Sequence, residues 1–209
     1  MTGQRMGIAA VLVLIILVGG MFEPDLPHEP HRTRFVKITR TGEPIGIWKG
    51  PWQCVFDRKT RLLWEVKGYH QDLHSHECSF SWYDGHTGVP LRGNCYTPDG
   101  RSDLRTLVDF FNTHAVCGSR QWRVPTLHEL RTLLFADGAP NTPLIRTDLF
   151  PRTEKAPYWS SDAPVRLHGF FEGEIGARAL DFRTGSVDAL PYSNAAFLRL
   201  VSDAFSPEP

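Results

Sequence analysis

The sequence predicts an α+β fold with two short helices and small antiparallel sheets. Two segments carry apolar residues at helical spacing, and both precede the last extended segments. The other apolar segments are brief, rich in aromatic and β-branched residues and bounded by turn residues, which indicates about five to seven strands. Strands and helices do not alternate, so a parallel sheet of βαβ units is not expected.

The composition is that of one folded globular domain without a strong electrostatic field. Of 209 residues, 41% are hydrophobic and 22% charged, and 23 Lys and Arg are balanced by 23 Asp and Glu. The basic residues are scattered among acidic ones, whereas a nucleic-acid-binding domain usually carries a clustered basic face. We therefore expect no nucleic-acid partner.

Residues 6–22 predict an N-terminal hydrophobic helix that directs export. The run is apolar throughout and lies between Arg5 and Glu23, so the positive charge is on the cytoplasmic side. It suits either a signal-anchor, which would leave a periplasmic domain on the inner membrane, or a cleaved signal peptide, which would leave a periplasmic or secreted protein. We divide the chain into this leader (1–22), a linker with a possible strand at 35–38 (23–50), the folded body (51–203) and a tail (204–209).

The body begins with a predicted hairpin whose arms are residues 52–56 and 62–66. A long irregular stretch, 68–100, precedes a helix at about 103–115. In this helix Leu104, Leu107, Val108 and Phe111 repeat at helical spacing after Ser102 or Asp103 as the cap. Long loops of this kind in compact domains are commonly functional or held by disulfides.

A second helix is predicted at about 127–136. Thr126 and Glu129 form a capping box, in which each side chain accepts the exposed backbone N–H of the other residue. Gly138 offers a left-handed residue beyond the helix end. Short strands are expected near residues 158–160, 177–182, 187–190 and 197–201, with Gly185 in the turn between the second and third of these.

Several motifs occur in the order typical of one bacterial family. They are Cys54-Val55-x-Asp57-x-x-Thr60-x-Leu62-Leu63-Trp64-Glu65, Trp82-Tyr83, Cys117-Gly118-x-x-x-Trp122-Arg123-Val124-Pro125-Thr126-x-x-Glu129-Leu130, Tyr158-Trp159-Ser160-Ser161 and Leu198-Arg199-Leu200-Val201. Residues 50–202 thereby resemble domain of unknown function 1566, also called the Lcl C-terminal domain after a collagen-like adhesin. Arg61 departs from this pattern, since the family usually has Gly there, and Ser202 replaces a frequent Arg.

The resemblance implies a C-type lectin-like fold, the broad group that also contains the formylglycine-generating enzymes. It further implies export and, in the adhesin, binding of sulfated polysaccharide. Because one fold serves many functions, these are expectations drawn by analogy.

Four cysteines beyond an export signal predict two disulfides. Three pairings are possible, and we favour Cys95 with Cys117 together with Cys54 with Cys78. The functional alternative is a copper- or thiol-based active site like that of formylglycine-generating relatives.

Two other residue groups suggest binding sites. His70, His74 and His76 could hold zinc or copper, although the segment also suits a solvated polar loop, and we expect no cofactor. Trp82, Tyr83, Tyr158 and Trp159 could form an aromatic platform for a sugar ring, or could instead fill the core. The triplets with which lectins bind calcium are absent from the sequence.

These patterns predict an exported, membrane-anchored and non-catalytic module that binds a polysaccharide or an envelope protein. There is no Gly-x-Ser-x-Gly motif and no spacing that indicates a catalytic triad, so we expect no enzyme activity. The alternatives are an enzyme of lectin-like fold and a structural envelope subunit.

Overall fold

The computed structural model describes residues 34–69, 72–98, 100–135 and 141–205. Within these ranges the chain has the predicted α+β architecture, with small antiparallel sheets and two α-helices. No described helix is long and apolar enough to cross a bilayer. The predicted leader helix lies outside the described residues. The strands are β1 Phe35–Ile38, β2 Pro44–Ile45, β3 Cys54–Asp57, β4 Leu62–Glu65, β5 Tyr96–Thr97, β6 Gly100–Arg101, β7 Pro157–Trp159, β8 Val165–Arg166, β9 Ile175–Asp181, β10 Val187–Pro191 and β11 Val201–Ser202.

The largest sheet has the order β11-β4-β3-β1-β2 and is antiparallel throughout. Its centre is the predicted β3–β4 hairpin, in which every residue of the two strands is buried. The turn of the hairpin places Arg61 at a φ of 60°, a left-handed conformation that glycine adopts most easily. This conformation explains why the resembling family usually has glycine there.

A second sheet is formed by β10, β9 and β7, and β8 pairs with the start of β9. The β9–β10 hairpin turns at Gly185, whose φ of 74° agrees with the prediction for this turn. Strands β5 and β6 form a small separate hairpin. The strand predicted at 35–38 is also present, as β1.

Helix α1 spans Leu104–Thr113, close to the prediction, and Asp103 is its N-cap. Its buried residues are Leu104, Leu107 and Phe111, and Val108, the fourth residue of the predicted face, is half-buried.

Helix α2 spans Leu127–Arg131 and has the predicted Thr126–Glu129 capping box. It is shorter than predicted, because the backbone after Arg131 forms tighter turns in which each N–H bonds three residues back. Leu134 then pairs with Ile145 and leaves the helical path. Gly138 lies outside the described residues.

The predicted disulfide pairing is wrong, although all four cysteines are bonded. The bonds join Cys54 with Cys117 and Cys78 with Cys95. After α1 the chain packs against the turn that follows β1, where the Cys117 N–H donates to the Arg40 carbonyl at 2.8 Å. This contact places Cys117 beside Cys54 at the start of β3, and sequence spacing gives no sign of it.

The second bond closes a short loop inside the irregular stretch. The backbone N–H of Ser79 donates to the Asn94 side chain at 2.7 Å, and the Asn94 N–H donates back to the Ser79 carbonyl at 3.2 Å. Cys78 and Cys95 are the neighbours of these two residues, so the hydrogen bonds align them.

Four charged or titratable side chains lie together inside the domain: Glu65, Lys67, His74 and Arg199. Lys67 Nζ lies 2.7 Å from Glu65 Oε1, and Glu65 Oε2 accepts the Leu200 N–H at 2.8 Å. Arg199 donates to the Glu65 carbonyl and, at 2.8 Å, to Thr153 Oγ1. The carboxylate thus ties β4 to the segment before β11, and buried charges of this kind need such partners.

His74 packs edge-on against Phe111, with ring centroids 5.2 Å apart. Burial lowers its pKa, and the Lys67 charge acts in the same direction, while Glu65 opposes both. The folded domain therefore favours a neutral His74 ring.

We predict that removing the Cys54–Cys117 bond costs more stability than removing the Cys78–Cys95 bond. Cross-links that span 63 and 17 residues restrict the unfolded chain to different extents. The loop-entropy relation gives losses of about 4 and about 3 kcal/mol, respectively. Urea unfolding of C54A/C117A and C78A/C95A measures both losses, and wild-type stability in either double variant would contradict the prediction. Peptide mapping without reduction checks the pairing itself.

We also predict that acid destabilises the domain through His74. In the unfolded chain a histidine protonates below a pH of about 6.5. Because the folded pKa of His74 is lower, the unfolded state binds the proton first. The contribution of His74 is therefore complete above about pH 6.5 and is lost as the pH falls from there toward the folded pKa.

Urea unfolding at pH 7.5 and 5.5 tests this effect. We expect His74→Leu to lose less stability than the wild type over that interval. His168→Gln, at an exposed position, should keep the wild-type dependence. An unchanged dependence in His74→Leu would contradict the prediction.

Candidate functional site

The structure corrects the predicted aromatic platform. Trp82, Tyr158 and Trp159 belong to the core, with at most 5% of their surface exposed. The Trp82 and Trp159 indole N–H groups donate to the carbonyls of Ser160 and Phe80 at 2.9 and 2.7 Å. Their faces are covered by packing, so they cannot receive a sugar ring. The alternative reading as core residues is therefore right for these three.

Tyr83 is the half-buried member of the predicted set. Its hydroxyl donates to the Gly85 carbonyl at 2.9 Å, and its ring helps to line a small groove beside α1. Arg123 also lines this groove, but its guanidinium binds both carboxylate oxygens of Glu129, at 2.9 and 2.7 Å, and contacts Asp203 at 3.2 Å. The arginine is thus occupied in holding the capped helix α2 to the end of the main sheet.

The histidines of the predicted metal site have different surroundings. His74 points into the core, whereas His76 Nδ1 lies 2.9 Å from Glu154 Oε1. The His76 ring also packs edge-on against Tyr69. His70 lies outside the described residues. Within the described ranges, no group of three or more potential metal ligands is found.

The surface of the domain presents other aromatic side chains. Trp48 is 73% exposed, and it lies in the turn after β2, which the Lys49 N–H closes on the Gly46 carbonyl at 2.8 Å. Because exposed indoles are rare in a protein that folds around a packed core, Trp48 is a candidate contact for a ligand.

Trp48 borders a pocket of about 190 Å³, which we call the Trp48 pocket. Its other lining residues are Lys37 from β1, Ile47 from the same turn and Asp148 from the segment after α2. The pocket is smaller than the sites of about 300–1,000 Å³ that enclose drug-sized ligands. It therefore suits a single small ring.

Packing fixes the two charged groups of the pocket. The Lys37 ammonium lies 3.4 Å from the centre of the Trp52 ring, and the Trp52 indole N–H donates to the Leu149 carbonyl at 2.9 Å. Asp148 accepts two hydrogen bonds from the Arg146 guanidinium, at 2.9 and 2.7 Å. Both groups are thus positioned before any ligand arrives.

The same contacts set the pKa values of these groups. The hydrogen bonds from Arg146 hold the pKa of Asp148 below its ordinary value, and the Lys37 charge adds to this effect. Burial lowers the pKa of Lys37, and Asp148 partly opposes that shift. The Asp148 carboxylate is consequently ionised at neutral pH and accepts hydrogen bonds.

This arrangement suits binding of a hydroxylated ring. The indole offers an apolar face, the carboxylate accepts hydrogen bonds and the ammonium donates them, which together match a sugar with its C–H face and adjacent hydroxyls. The lining contains one carboxylate, whereas hydrolysis of a glycosidic bond usually requires a pair.

Sequence reasoning missed all three key residues of this pocket. Trp48 lies in the segment that the sequence predicts to be a linker. Its position between Gly46 and Gly50 indicates a turn, which is the one sequence feature that could have predicted an exposed aromatic side chain. Asp148 is distant in sequence and reaches the pocket only through the tertiary fold.

Comparison with known proteins gives one family. The model of the Lcl C-terminal domain matches residues 53–202, more than half of the chain. Searches of curated proteins and of solved structures gave no significant match.

Proposed function

Because the chain belongs to the Lcl C-terminal domain family, we propose that it is a non-catalytic binding module of the bacterial envelope and that its Trp48 pocket binds one sugar residue of a polysaccharide. The proposal depends on one observation. An indole that is 73% exposed borders a pocket with a carboxylate and an ammonium already held in place.

Binding of a ligand at this pocket would offset the energetic cost of exposing the Trp48 indole. Leaving a large aromatic surface in water forgoes about 1.5–3 kcal/mol of burial free energy. A ligand that covers the indole recovers part of it. Since Arg146 and Trp52 already orient the charged groups, a ligand would pay little to order them, and this preorganisation favours affinity.

The proposal includes a C-type lectin-like fold and export, with residues 6–22 holding the protein to the inner membrane. The described part of the chain has small antiparallel sheets, two α-helices and a long irregular segment closed by a disulfide, and these features are compatible with that fold. The two disulfides favour an oxidising compartment such as the periplasm.

The pairing of the cysteines bears on the alternative of a thiol enzyme. All four sulfur atoms are joined in disulfides, so no thiolate nucleophile exists until a bond is reduced. This arrangement supports binding over thiol chemistry.

We predict that Trp48→Ala weakens glycan binding at least tenfold, equivalent to about 1.4 kcal/mol. The full-length protein is first screened on an array of envelope glycans and sulfated polysaccharides, and the strongest ligand is then titrated by calorimetry. Tyr96→Ala is the matched control, because Tyr96 is 75% exposed and does not line the pocket. Equal losses in the two variants, or no array signal for the wild type, would reject the pocket.

We predict that Asp148→Asn weakens binding of the same glycan about tenfold, since a hydrogen bond to a charged acceptor contributes about 1.5–3 kcal/mol. The exposed Asp188→Asn variant should bind like the wild type. Because Arg146 lowers the pKa of Asp148, wild-type affinity should change little between pH 8 and pH 5. A loss of affinity toward pH 5 that Asp148→Asn abolishes would contradict this assignment.

A further inference from the structure

A second surface feature lies far along the chain from the Trp48 pocket. Residues 167–175, which we call the aromatic loop, comprise the connection between β8 and β9 and the first residue of β9. The loop has a defined backbone, because the Leu167 N–H donates to the Glu174 carbonyl at 3.0 Å and the Glu172 N–H donates to the Gly169 carbonyl at 3.1 Å. Gly169, with a φ of 68°, and Gly173, with a φ of 92°, allow the two bends.

The aromatic loop presents apolar side chains to solvent. Phe170 is 96% exposed, Ile175 52% and Phe171 39%. The two phenyl rings pack edge to face at 5.1 Å, so the pair forms one convex knob. Large apolar side chains that are exposed on an ordered loop are typical of an interaction surface.

A pocket of about 460 Å³ lies beside this knob. Leu167 and Ile175 provide apolar lining, and Phe170 is not among the lining residues. One copy of the chain therefore carries both a protruding phenyl group and, next to it, a pocket with room for one.

The charges around the pocket are also of both signs. Arg166 lies on the β8 side, and Glu172 and Glu174 lie on the side that leads into β9. In a two-fold interface the same surface of each copy faces the other. If residue i of one copy contacts residue j of its partner, then residue j of the first copy contacts residue i of the partner. Each copy must therefore carry both members of every contact. The aromatic loop together with Arg166 meets this requirement for shape and for charge.

We propose that two copies of the chain associate through the aromatic loop about a two-fold axis. The Phe170 ring of each copy enters the pocket of the other, and Arg166 of each copy faces Glu172 and Glu174 of the other. A lipid surface is a poorer occupant, because inserting the knob would bring two carboxylates toward the bilayer. The interface is independent of glycan binding.

The size of the loop sets the expected strength. Stable interfaces bury about 800 Å² on each partner, and a nine-residue loop offers less. We therefore expect a weak dimer, with a Kd in the micromolar range.

Sedimentation equilibrium of the full-length protein in detergent tests the proposal. We expect the wild type to dimerise and Phe170→Asp to raise the Kd at least tenfold. Tyr96→Asp, at another exposed aromatic position, should dimerise like the wild type. Equal thermal stability of the two variants verifies that the fold is retained, and dimerisation that persists in Phe170→Asp overturns the proposal.

Charge reversal gives a sharper test. R166E alone and E172K/E174K alone should each lose homodimerisation, because like charges then face each other. Mixing the two variants should restore a dimer, since one loop is then acidic and the other basic. Failure of the mixture to associate, or binding of the monomeric wild type to phosphatidylcholine vesicles that Phe170→Asp abolishes, would overturn the two-copy interface. Glycan binding by Phe170→Asp should equal that of the wild type, so the outcome does not depend on the Trp48 pocket.

Discussion

The β3–β4 hairpin imposes the main constraint on this fold, because both of its faces need to be covered by apolar residues. Cys54, Phe56 and Leu63 point into one part of the core, which contains α1 and Trp159. Val55 and Trp64 point into the other part, which contains the leucines of α2 and Tyr158. Because both faces of the hairpin are buried, its charged side chains are shielded from water and need partners inside the protein. Glu65 binds Lys67 and the Leu200 N–H, and these contacts position the segment that leads into β11.

The local features of the sequence predicted local structure well. Cap residues predicted where both helices begin, because a cap acts on its own first turn. For α1 the candidates were Ser102 and Asp103, of which Asp103 is the cap, and for α2 the sign was the Thr126–Glu129 capping box. The β3–β4 and β9–β10 hairpins followed from turn residues between apolar segments. The end of α2 was less predictable, since it is set by the pairing of Leu134 with Ile145, a contact across a part of the chain that does not belong to the helix.

The long-range features escaped sequence reasoning for the same physical reason. The partner of Cys54 is decided by how the segment after α1 packs against the turn following β1, and no spacing rule encodes that packing. The aromatic residues of the motifs looked like a binding surface, yet their indole and phenol groups have partners inside the core. Trp48, whose indole is exposed, lies in a turn between Gly46 and Gly50, where the spacing of apolar residues does not predict burial.

The family match begins at residue 53, but the main sheet does not. Strand β1 forms four residue pairs with β3, from Phe35 opposite Asp57 to Ile38 opposite Cys54. A fragment cut at the start of the match would leave the edge of β3 without its hydrogen-bonding neighbour, and an open, apolar edge of this kind promotes aggregation. The segment that matches the family and the segment that folds as one domain therefore begin at different residues. The folded domain begins no later than Arg34. The Arg34 guanidinium binds the Asp57 carboxylate at the end of the β1–β3 pair where Phe35 lies opposite Asp57.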